Sequence, residues 1–183
     1  MTNGAGPYYG KYRGTVFNNI DPENRGRLQL TVPDVLGLVP STFAECCAPF
    51  SGMTGAAAGF FAIPPIGAAV WVEFEQGDPN RPIWSGGRFA STADVPPMAL
   101  APPAIPPGQN VVIQTTLQNM MAVSDAPPTP VSGGIVLKST TGAMIVVNDT
   151  GIYINNGKGA MITLVGPTVT VNNGALVVTK PYI

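Results

Sequence analysis

The chain has 183 residues, 45% of them apolar and only 10% charged, with 22 Gly, 20 Pro and no histidine. That length can bury a core for one ordinary domain plus a smaller module, and the abundance of β-branched residues with so few charges excludes a disordered chain. A net charge of −1 and a pI near 5.2 exclude electrostatic attraction to nucleic acid or to a membrane surface.

Residues 1–7 form an N-terminal tail with neither a charged n-region nor an apolar h-region, so no signal peptide is expected. No run reaches the ~18 apolar residues of a membrane span. Residues 8–94 hold 14 of the 19 charged residues and both tryptophans, and they read as five short strands. The first is 8–18, rich in aromatic and β-branched residues. The loop Asp21-Pro22-Glu23-Asn24-Arg25-Gly26 leads to the second, 27–32, where Leu28, Leu30 and Val32 share one face. The third is 42–49, the fourth 69–75 after the Pro64-Pro65-Ile66-Gly67 turn, and the fifth 82–89. No stretch carries a capped helical period. Five strands in this length suit a small barrel of the OB type. Cys46 and Cys47 are adjacent, a spacing that strains a direct bridge. They read as small buried hydrophobes of a protein made in the cytosol.

Residues 95–133 are a Pro-rich linker, semi-rigid because proline favours extended backbone and lacks a donor. An apolar island at 111–123 interrupts it, either as an added strand or as packing for the connector. Residues 134–183 carry a repeat. Gly134, Gly142, Gly151, Gly159, Gly166 and Gly174 recur at intervals of seven to nine, each followed by a short apolar segment, and Gly-Ala-Met-Ile occurs twice. Short strands turning every eight residues hold little core of their own. The pattern makes sense if three copies wrap around one axis, each strand pairing with neighbouring chains and turning its apolar residues inward. Glycine then accepts the corner conformations. A monomeric β-solenoid is the plainer alternative.

Gly14-Thr15-Val16, Asp21-Pro22-Glu23-Asn24-Arg25-Gly26-Arg27-Leu28 and the stretch from Pro65 and Gly67 through Val70, Trp71, Phe74, Glu75, Gly77, Asp78, Pro82, Trp84 and Gly86 resemble the OB domain of phage baseplate assembly protein V. The central spike proteins of type VI secretion and contractile injection systems share this domain. The glycine repeat resembles that family's triple-stranded β-helix. The resemblance implies an all-β homotrimer: an OB-fold barrel, a Pro-rich connector and an intertwined needle. It implies a structural role without enzymatic activity, as the spike at the tip of the inner tube that pierces an envelope on sheath contraction. It further implies a baseplate hub, an inner tube initiator and a PAAR-type tip protein as partners. Contact with the target membrane would be transient, and the particle would be assembled in the bacterial cytoplasm. The absence of histidine rules out a histidine-ligated metal tip, so Val177, Val178, Thr179, Lys180, Pro181, Tyr182 and Ile183 become the expected contact for the tip protein. No cofactor, metal or nucleic acid is expected.

Catalysis has little to stand on without histidine. Glu73 and Glu75 share a strand face, but a solvated barrel face explains them. Asp78 reads as a turn former, not a calcium ligand, and Trp71 and Trp84 read as core or interface anchors. The rival is a carbohydrate- or oligonucleotide-binding OB module on a β-solenoid stalk, which requires an exposed aromatic and basic groove. A peptidoglycan hydrolase would need a cleft with a paired acid and base.

Overall fold

Alternation along the strands decides the first unit. The computed structural model describes residues 7–100 and 110–179 and divides the chain into units Met1–Thr92 and Ala93–Ile183. The first unit contains β1 (Tyr12–Asn18), β2 (Gln29–Thr31), β3 (Glu45–Cys46), β4 (Ser51–Met53), β5 (Ala56–Gly59), β6 (Ala69–Phe74) and β7 (Pro82–Gly87). Five of these pair in the order β2-β1-β6-β7-β3, with β3 parallel to β7. An antiparallel bridge between Leu28 and Ala44, with N–H···O distances of 3.1 and 2.7 Å, joins β3 back to β2. Each of these five strands thus has two neighbours, and the sheet closes into the five-stranded OB barrel.

Val70, Val72 and Phe74 of β6 point inward and Trp71 and Glu73 outward. Leu28, Leu30 and Val32 are fully buried, as the alternation required, and join Val16, Ala44 and Trp84 in the core. Each such burial is worth about 1.5–3 kcal/mol. Gly14 lies so close to β6 that an added Cβ would stand 2.5 Å from Val72 Cγ2.

Four details differ from the expected elements. The first strand begins at Tyr12, because Tyr8 instead donates its N–H to the Gly77 carbonyl (2.9 Å) and packs its ring beside Tyr12 and Phe74. The third strand shrinks to Glu45–Cys46. The following residues form the β4–β5 hairpin, whose Gly- and Ala-rich sequence has no alternation to announce it. A single-turn helix, α1 (Pro33–Leu36), opens on a proline that needs no donor.

The second unit is an antiparallel meander in which the strands pair in chain order. They are β8 (Asn110–Gln114), β9 (Met120–Thr129), β10 (Ser132–Lys138), β11 (Met144–Asn148), β12 (Gly151–Asn155), β13 (Met161–Val165), β14 (Thr168–Val171) and β15 (Leu176–Thr179). The apolar island is therefore a hairpin, β8 with the first half of β9. Residues 110–133, read above as connector, belong to the sheet. Proline content misled there: β9 runs through Pro127 and Pro128 where the register with β10 breaks, a place that requires no ladder donors. Within one chain the eight strands form a continuous antiparallel ladder.

All six repeat glycines have φ between 53° and 154°. Gly142, Gly159, Gly166 and Gly174 sit in hairpin connections, Gly151 opens β12 and Gly134 lies inside β10. Gly134 has a second constraint, since an added Cβ would stand 2.2 Å from the Val147 carbonyl oxygen. The tail residues 1–6, the connector residues 101–109 and Lys180, Pro181, Tyr182 and Ile183 of the expected tip contact lie outside the described residues.

Candidate assembly interface

Register along the meander places side chains of alternate positions in continuous rows. Val111, Val123, Ile135, Val147, Ile152, Leu164, Val169 and Val178 face one another from strand to strand across the sheet. Two residues along, Ile113, Met121, Leu137, Ile145, Ile154, Ile162, Val171 and Leu176 form a second row on the same face. The two rows contain no polar residue. Except for the half-buried Val169 and Val171, their members are exposed, from 37% at Leu164 to 67% at Val111. A depression of about 540 Å³ runs along the second row past Ile113, Met121, Leu137, Ile145 and Ile154.

The opposite face is built differently. Its central row begins with Val112, Ala122, Val136, Val146 and Tyr153 and continues into Thr163 and Thr170. Ala122, Val136, Val146 and Tyr153 are buried under partners that include Met98, Met120 and Met144. The Asn110 side chain donates to the Met98 carbonyl (3.1 Å), and the Tyr153 hydroxyl lies 2.8 Å from Thr150 Oγ1. These four residues are a small core for an eight-stranded sheet. The larger apolar surface is the one with nothing over it among the described residues, and large contiguous apolar patches mark interaction sites. Covering the remaining exposed half of one such side chain is worth about 1 kcal/mol.

Of the expected tip residues, Val178 ends the first row, Val177 lies on the opposite face in register with Thr170, and Thr179 pairs with Thr168.

The barrel's sequence motif is a knot of hydrogen bonds. Asp21, buried at the base of its loop, accepts the N–H groups of Glu23 (3.0 Å), Arg25 (2.8 Å) and Arg27 (3.2 Å). It also takes both Nε and Nη2 of the Arg27 guanidinium (3.1 and 2.7 Å). The Arg27 side chain, seconded by those N–H groups, holds the Asp21 carboxyl far below the usual carboxylate range despite its burial. Arg25, bonded to Glu23 (3.0 Å) and Glu45 (2.8 Å), keeps Glu23 lowered as well. Gly26, at φ 80° in the region that favours glycine, lies against the Ile63 and Phe61 side chains, and its carbonyl accepts the indole N–H of buried Trp84 (2.9 Å). Loop and fifth strand are thus tied together.

The second half of the motif is equally structural. The turn at Pro65–Gly67 is fixed by the Gly67 N–H donating to the Val16 carbonyl (2.9 Å), with Gly67 at φ 86°. Glu73 pairs with Lys11 (3.1 Å) and Glu75 with Arg81 (2.7 Å), so the two carboxylates serve separate ion pairs. Asp78 caps its own turn by accepting the Asn80 N–H (2.9 Å). Gly77, at φ 78°, lets Pro7 and Tyr8 pass, since an added Cβ would stand 2.6 Å from Pro7 Cβ. Pro82 opens β7, and Gly86, at φ 125°, sits at the break in its register with β6. Trp71 faces outward beneath the Arg88 guanidinium, 5.8 Å from the ring centroid. Burial pushes the Cys46 thiol up, away from the reactive thiolate. Among the described residues, no three His, Cys, Asp or Glu side chains cluster as metal ligands would, and no helix is long and apolar enough to cross a membrane.

Sequence reasoning missed how far the apolar rows extend. The signal was present in the alternation of 111–113 and 121–123, whose period of two matches that of the later strands.

Two family models match the chain. The type VI secretion system/phage-baseplate injector OB domain matches residues 12–89, and the phage baseplate V C-terminal trimerisation domain matches residues 110–177. No curated protein matches it.

Proposed function

Because the chain belongs to the phage-baseplate and type VI secretion spike proteins, carrying their OB domain and their trimerisation domain, we propose that it is the non-enzymatic central spike of a contractile machine. As a homotrimer at the tip of the inner tube, it would be driven through the target envelope when the sheath contracts. The observation that carries this reading is the pair of aliphatic rows spanning all eight strands of the second unit. Three copies turning these rows to a common axis remove the apolar face from water. The backbone ladders, already closed within each chain, then form the walls. A column built this way resists bending, because shearing it breaks many hydrogen bonds and opens a dry core at once.

Three further assignments follow from the same reading. The barrel engages the baseplate hub and the tube initiator. The end of the sheet around Val177, Val178 and Thr179 receives a PAAR-type tip protein. Assembly takes place in the bacterial cytoplasm. A nucleic-acid- or sugar-binding barrel is disfavoured because four of its six basic side chains, Lys11, Arg25, Arg27 and Arg81, are paired with a carboxylate, and because Trp84 is core and only Trp71, beneath Arg88, faces outward.

Electron microscopy of contractile particles labelled with an antibody to this chain tests the assignment. Label at the distal end of the inner tube is the expected result. Label along the sheath, or particles that penetrate target cells normally after the gene is deleted, would refute it.

A further inference from the structure

No charged residue occurs between Glu45 and Glu73, and within that stretch the β4–β5 hairpin lies wholly exposed. Phe50, Met53, Phe60 and Phe61 stand on or beside it at 60, 76, 50 and 71% exposure. The hairpin is nevertheless a defined object. Ser51 pairs with Gly59 and Met53 with Ala56, the Phe60 N–H donates to the Phe50 carbonyl (3.2 Å), and an added Cβ at Gly52 would stand 2.4 Å from the Ala56 carbonyl oxygen. The two strands pair with each other as a separate sheet. Proteins ordinarily protect such edges with charges, and this one carries none.

We propose that this hairpin is an arm that docks on the barrel of a second copy of the chain, an inference that rests on the trimeric reading above. The size of the patch selects the occupant. Four large side chains at these exposures offer on the order of 500 Å² of apolar surface. A partner arriving from solution needs about 800 Å² per side. A copy already held by the trimerisation domain needs less, because covalent linkage of barrel to sheet keeps three barrels at an effective concentration on the order of millimolar. A lipid surface is the poorer match, since the open edges of a two-stranded hairpin have no hydrogen-bond partners in hydrocarbon, whereas at the rim of a protein interface water satisfies them.

The test uses the full chain with a photo-crosslinking residue, Met53→p-benzoylphenylalanine, and the same residue at exposed Asp34 as the control. After irradiation and boiling in SDS, the Met53 sample is expected to give chain-to-chain products at two and three times the monomer mass. Its cross-linked peptides should lie within residues 12–89, and the Asp34 sample should give several-fold less. Light scattering on the same samples separates the two ways to fail. A trimer in which Met53 cross-links no better than Asp34, or only to the second unit, overturns the arm alone. A monomer overturns the trimeric reading and the arm with it. Products that form only in assembled particles, and to a different protein, assign the arm to that protein and also overturn the proposal.

Discussion

Replacing Ile154 by aspartate places one charge at the middle of the second aliphatic row, between Ile145 and Ile162. In a single chain this side chain is 41% exposed, so the carboxylate stays wet and the fold of the monomer is little affected. In the trimer proposed above the same position is covered. The loss per chain is then about 1 kcal/mol of forgone burial plus several kcal/mol for stripping water from an unpaired carboxylate. Three chains carry the charge, and like charges converge on one axis. The total is roughly 10 kcal/mol per trimer, about seven orders of magnitude in the association constant. Sedimentation velocity at micromolar concentration should show Ile154→Asp falling from three chains to one, with the near-ultraviolet tryptophan signal of the barrel, from Trp71 and Trp84, unchanged. Thr163→Asp, on the opposite face of the same sheet, should remain trimeric. An Ile154→Asp protein that sediments as a trimer with unaltered thermal unfolding would refute the placement of this face at the shared axis.

Other expectations concern the barrel and the turns. Trp84→Phe removes the donor to the Gly26 carbonyl and should cost about 2 kcal/mol, read as a lowered urea midpoint. The Asp21 carboxyl is held below its ordinary value, so the stability it contributes is complete above pH ~4 and is lost as pH falls further toward its folded value. Urea midpoints of the native chain should therefore drop between pH 4 and pH 2, and Asp21→Asn should be weaker at neutral pH with a flatter acid limb. Gly134→Ala meets backbone at 2.2 Å, whereas Gly142→Ala meets open space and only an unfavourable φ of 89°. The first should cost several kcal/mol and the second about 1, as thermal denaturation of the two variants will show.

The barrel was legible because its core strands obey one rule each. Leu28, Leu30 and Val32 alternate, β6 alternates through Val70, Val72 and Phe74, and the loop between β1 and β2 carries turn residues. The β4–β5 hairpin was invisible, since a run of Gly and Ala has neither period nor preference. At the second unit, glycine spacing announced short strands and turns but said nothing about which chain a strand would pair with, because backbone hydrogen bonds carry no sequence label. Residues 110–133 were hidden by Pro127 and Pro128, which signal a connector unless the ladder breaks at that point, as it does. The assembly face itself required register. Alternation within one strand shows that Ile135 and Leu137 share a face, but only the pairing of Ile135 with Val147 and Leu137 with Ile145 shows that the rows continue.

The most direct test of the central claim is the solution mass of the purified native chain by light scattering, paired with its mobility in SDS before and after boiling. A trimeric spike has a mass three times 18.9 kDa and survives SDS until it is boiled. A monomer that stays soluble with its aliphatic face uncovered would contradict it.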